Sequence, residues 1–64
     1  MNKTKIKEML EELMDEINSI SSDIDDLLDN FDTLSDDELK ERINDIIDLI
    51  LNLRDYARDL QKLI

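Results

Sequence analysis

The chain has 64 residues, a formal net charge of −10, no cysteine, histidine, glycine or proline, and only two aromatic side chains, Phe31 and Tyr56. Residues 1–64 therefore make one domain, near the size at which a lone core is marginal and disulfides, metals or oligomerisation supply the rest; without Cys or His, oligomerisation remains. The same absences exclude zinc sites, histidine-dependent triads and glycine phosphate loops, so no enzyme activity and no cofactor is expected.

With few turn signals and little material for strands, the fold class is all-α. From Ile6 the large apolar residues fall at 6, 10, 13, 17, 20, 24, 27, 31 and 34, in alternating steps of four and three. This is a heptad stripe, with Leu10, Ile17, Ile24 and Phe31 at positions a and Ile6, Leu13, Ile20, Leu27 and Leu34 at positions d. It predicts a first helix over about residues 3–30. Ser19, Ser21 and Ser22 are poor helix formers, but the apolar phase runs through them unchanged, so the helix is read as continuous.

The segment Leu34-Ser35-Asp36-Asp37-Glu38-Leu39 is a helix start. Ser35 and Glu38 form a capping box in which each side chain is expected to accept a backbone N–H of the other, and Leu34 and Leu39 stand where a hydrophobic staple requires them. Asp36 and Asp37 suit the positive end of the new helix, and Arg58 and Lys62 suit its C-terminal end. The second helix, over 36–64, carries the stripe 39, 43, 46, 50, 53, 57, 60 and 64. Within it, Ile46 to Leu53 holds six large aliphatic residues in eight. At about 100° per residue the apolar arc of this helix spans roughly 240°, against roughly 140° for the first.

Two helices of similar length joined by so short a link fold back as an antiparallel two-helix hairpin, on the order of 40 Å long. One hairpin cannot cover the second helix, so two are expected to pair as an antiparallel homodimeric four-helix bundle. Its candidate oligomer interface is Ile46, Ile47, Leu49, Ile50, Leu53, Tyr56 and Leu60.

Charge is segregated along the chain. Glu8 to Glu38 holds thirteen acidic residues and no Lys or Arg, residues 1–7 hold three Lys, and residues 39–64 hold five of each sign. The half of the hairpin next to the turn, residues 23–48, carries eleven acids against Lys40 and Arg42. Like charges at close range cost energy even when partly screened, so the two turns of a dimer are expected at opposite ends. Lys at the start of the first helix and Asp25, Asp26 and Asp29 near its end oppose that helix's own macrodipole.

The carboxylates Glu8, Glu12, Asp15, Glu16, Asp23, Asp26 and Asp29 recur at steps of three or four, a rise of about 5–6 Å that compares with phosphate spacing along a nucleic-acid strand. They form a candidate partner-binding face. The function expected from it is a small acidic protein-binding module, a nucleic acid mimic that inhibits a target enzyme of phage or plasmid type by occupying its basic surface. The alternative is a structural, self-assembling bundle, natural or designed, whose acids maintain solubility.

Glu11-Glu12-x-x-Asp15 and Asp45-x-x-Asp48 resemble the EExxE and ExxD motifs of all-α nucleotide pyrophosphatases, a resemblance that implies Mg²⁺-dependent hydrolysis. The heptad register instead puts all five at outward positions b, c and f, where solvated charge is ordinary. The Asp-rich turn lacks the glycine and terminal Glu of a Ca²⁺ loop, so no metal site is expected. Direct nucleic-acid binding is disfavoured because an acidic surface repels phosphates. Membrane binding is disfavoured for want of a basic amphipathic face or a long apolar run, and no secretory signal is read at the N-terminus, so a cytoplasmic address is expected.

Overall fold

A computed structural model describes all 64 residues as two helices folded back on one another, with no strand. Helix α1 spans Lys3–Asp29, a 3-10 turn spans Phe31–Thr33, and helix α2 spans Asp36–Gln61. The hairpin measures 49 × 16 × 9 Å between its outermost Cα positions, a single layer of two packed rods.

Helix α1 runs through Ser19, Ser21 and Ser22 without a break. Its start is fixed by a cap that the periodicity did not mark: the Lys5 N–H donates to Asn2 Oδ1 at 3.0 Å, meeting one of the donors a helix N-terminus leaves free. At the other end, Asn30 closes the helix by donating from both its backbone N–H, at 3.2 Å, and its side-chain amide, at 2.9 Å, to the Asp26 carbonyl. The Thr33 hydroxyl then donates to the Asn30 carbonyl at 2.8 Å. No residue in the chain has positive φ, which is how the reversal is made without glycine.

Helix α2 begins at the expected cap. The Glu38 N–H donates to Ser35 Oγ at 3.2 Å. The reciprocal half of the box differs from expectation, because the Glu38 carboxylate accepts from the Ser35 hydroxyl, also at 3.2 Å, in place of the Ser35 N–H. The hydroxyl can accept through a lone pair and donate its proton at once, so Ser35 serves both partners. Leu34 and Leu39 are both half-buried, as a staple across the helix start requires. Regular helix stops at Gln61, three residues before the end of the 36–64 span, and Leu63 and Ile64 close in tighter turns, the usual fraying of a last turn.

The core is thin. Only Met9, Ile20, Leu27 and Leu60 are buried. Half-buried around them are Ile6 and Leu13 from α1 and Ile46, Leu49, Leu53 and Tyr56 from α2. The seam is therefore built from positions d, with Met9, Leu49 and Tyr56 at the adjoining positions g. Thirteen other large hydrophobic residues are exposed, more than three for each one buried, so one hairpin fully buries few of its apolar side chains.

Candidate interaction surfaces

Positions a lie about 90° around the helix from the middle of the d and g seam, and positions e about 130° in the same sense. Because α1 and α2 run in opposite directions, this turn carries both helices toward the same side of the hairpin. Leu10, Ile17, Ile24, Phe31, Ile43 and Ile50 thus share one face, and each leaves 39–50 % of its surface open. Met14, Leu28 and Ile47, at positions e, are exposed beside them. The result is one apolar face running the length of the hairpin.

The candidate interface residues divide across this arrangement. Leu60 is buried, and Ile46, Leu49, Leu53 and Tyr56 are half-buried against α1, whereas Ile47 and Ile50 are exposed on the open face. Sequence periodicity assigned the excess apolar surface to α2. The structure opens at least as much on α1, because the hairpin uses positions d of both stripes and leaves positions a of both uncovered.

Acidic residues gather on the opposite side. Positions c, f and g of α1 hold all seven candidate carboxylates, Glu8, Glu12, Asp15, Glu16, Asp23, Asp26 and Asp29, and every one is exposed. Positions c and f of α2 add Glu38, Glu41, Asp45, Asp48, Asp55 and Asp59 on the same side. Five of the eight cations, Lys3, Lys7, Lys40, Arg54 and Arg58, fall at positions a, e or b, on or beside the apolar face, as do five of the eighteen acids, Glu11, Asp25, Asp32, Asp36 and Asp37. The two ion pairs, Arg54 with Asp55 at 3.5 Å and Lys62 with Asp59 at 3.9 Å, both lie on the surface of α2. No carboxylate of α1 is paired with a cation.

One carboxylate does turn toward the seam. The Tyr56 hydroxyl donates to Glu12 Oε2 at 2.5 Å, a side-chain hydrogen bond joining the two helices. It borders a shallow open groove lined by Glu12, Asp15, Glu16, Asn52, Leu53 and Tyr56. The hydrogen bond to Glu12, reinforced by partial loss of water and by the carboxylate's charge, pushes the Tyr56 phenol up to about 12 from its ordinary value of 10.0. Glu12 was expected to point outward at position c. It folds across the seam because Tyr56, at position g of the facing helix, presents a donor there. Nothing in the local spacing marks this contact, which joins residues 44 apart.

No three acidic side chains of the hairpin are placed to hold a metal ion together, the Glu11, Glu12, Asp15 and Asp45, Asp48 groups included. No helix is long and apolar enough to cross a membrane. Against protein-family models, curated proteins and solved structures, the chain finds no match.

Proposed function

We propose that this protein is an association module whose working form is a pair of hairpins, joined through their apolar faces as an antiparallel four-helix bundle. The observation that carries this reading is the open face of apolar positions a on both helices, widened by Met14, Leu28 and Ile47 and turned away from most of the carboxylates. The hairpin's outline of 49 by 16 Å, about 800 Å² in projection, is large enough to hold the share that a standard-sized interface asks of each partner. A second copy is the occupant that fits, since it offers an equal length of the same apolar surface and a two-fold axis makes such a patch self-complementary. Light scattering coupled to gel filtration tests it: the expected mass is twice that of the chain, and a monomer at every concentration refutes the pairing.

The unpaired carboxylates favour a second, compatible reading. In a bundle of this kind the acidic sides of both hairpins face outward, and they suit a basic protein surface of the sort that binds nucleic acid. The protein then acts as an inhibitor by occupancy. Capture of a basic, nucleic-acid-binding partner that weakens with salt and is lost when Asp23, Asp26 and Asp29 become Asn supports this reading; capture unaffected by either change counts against it.

A further inference from the structure

Two hairpins can meet face to face about a two-fold axis in two ways. With the axis along the helices, the turns share one end and α1 lies on the partner's α2. With the axis across the helices, the turns are at opposite ends and like helices pair. We infer that the second holds, with the axis level with Ile17 of α1 and Ile50 of α2, so that α1 runs antiparallel on α1 and α2 on α2. This rests on the self-pairing proposed above.

The contact between Tyr56 and Glu12 reports the register of the hairpin. At equal rise along both helices it brings Leu10 level with Ala57, Ile17 with Ile50, and Ile24 with Ile43, all at positions a. One heptad further out, where Phe31 lies in the turn and Ile64 past the regular end of α2, the same pattern matches Phe31 with Asp36 and Lys3 with Ile64. Each arrangement stacks these pairs into layers of four. With the turns together, each layer is doubled: two Ala57 fall in one layer and leave it underfilled, and two Asp36 share another with two Phe31 rings.

With the turns apart, Leu10 and Ala57 meet the partner's Ile24 and the partner's Ile43, so each of the three central layers holds at least three large aliphatic side chains. This is the more even filling, and uneven filling leaves cavities that destabilise. The end layers also match in charge. The Phe31 ring faces the partner's Lys3, and Asp36 lies diagonally across the same layer from that cation, beside the partner's Ile64. The residues around each turn, with their excess of acids, lie against the partner's open end, where Lys3, Lys5 and Lys7 are found.

The chain has no cysteine, which makes the axis directly testable. Facing side chains at positions a on adjacent helices come within disulfide reach, whereas those on diagonal helices stand about 10 Å apart and do not. Ile17→Cys and Ile50→Cys, each alone, should oxidise so that most of the protein runs as a covalent dimer, and an equal mixture of the two should give little of the mixed product. Cross-linking found chiefly in the mixture, or none in a protein that light scattering shows to be dimeric, overturns the axis. Spin labels at Asn30→Cys give an independent reading: separations above about 30 Å support the arrangement, because the hairpin is 49 Å long, and separations under about 20 Å overturn it. A wild-type chain that is monomeric at every concentration overturns the self-pairing itself, a failure distinct from a dimer with the wrong axis.

Discussion

Replacing Ile50 by Asp tests how much of the stability resides between hairpins. In a single hairpin Ile50 already leaves 45 % of its surface in water, so the substitution there removes only part of the ~1.5–3 kcal/mol that full burial of such a side chain is worth, on the order of 1 kcal/mol. In the pair, two carboxylates are placed in an apolar layer without cations, each costing several kcal/mol. The sum is at least about 6 kcal/mol per dimer, or roughly four decades in the dissociation constant. Since one hairpin buries only four residues, the separated chains should lose helicity together with their partner. Circular dichroism and sedimentation at matched concentrations check both. The wild type should show a companion effect: tenfold dilution changes the free energy of pairing by about 1.4 kcal/mol, which for two 64-residue chains lowers Tm by roughly 5 °C. Ile50→Leu, which keeps the volume, should remain dimeric. An Ile50→Asp variant that stays dimeric, or that is monomeric with full helicity and a cooperative melt, would refute the reasoning.

Tyr56 is the only tyrosine, so tyrosinate absorbance reports it alone. Its titration should centre near pH 12 and return toward 10 in Glu12→Gln. Because the folded value is raised, the stability that this group contributes is complete below about pH 10 and lost as pH rises through about 12, so the difference in Tm between wild type and Tyr56→Phe should shrink across that interval. Ser35→Ala removes the cap of α2 and should lower stability by about 1 kcal/mol per chain, read from thermal melts. Changing Asp25, Asp26 and Asp29 to Asn relieves charges that oppose the α1 macrodipole and should raise Tm at low salt, each by the equivalent of about 0.3–1 kcal/mol, with the gain fading as salt is added.

Both helices, the reversal between them and the Ser35 cap are legible in the sequence, because each is written locally, in a period or in a short run of turn residues. Which side of each stripe meets the other helix is not. Positions a and d are equally apolar, and packing of either against its counterpart satisfies the same heptad pattern, so Leu10, Ile17 and Ile24 look like hairpin core until the fold places them on an open face. Ile47 and Ile50 could be singled out because α2 has more apolar surface than one neighbour covers. Leu49 and Tyr56 belong to the same excess, yet their place at position g puts them on the acidic side of the seam. The bond between Tyr56 and Glu12 joins a residue of the apolar arc to an outward carboxylate far apart in the chain, where periodicity carries no information.

Salt separates the two surfaces by sign. Each chain carries −10, and no carboxylate of α1 is neutralised within the hairpin, so bringing two copies together works against long-range repulsion while their apolar faces favour contact. Raising ionic strength from about 0.01 M to 0.15 M shortens the screening length from roughly 30 to 8 Å. Self-pairing through Leu10, Ile17, Ile24, Ile43 and Ile50 should then tighten, because the repulsion is screened and the hydrophobic contribution is not. Binding of a basic partner to the outer carboxylates should weaken over the same range, because there the attraction is what salt removes. One sedimentation series on the chain alone and one capture series with its partner should slope in opposite directions. If self-pairing instead weakens with salt, ion pairs and not the apolar face hold the copies together, and the surface proposed for association is the wrong one.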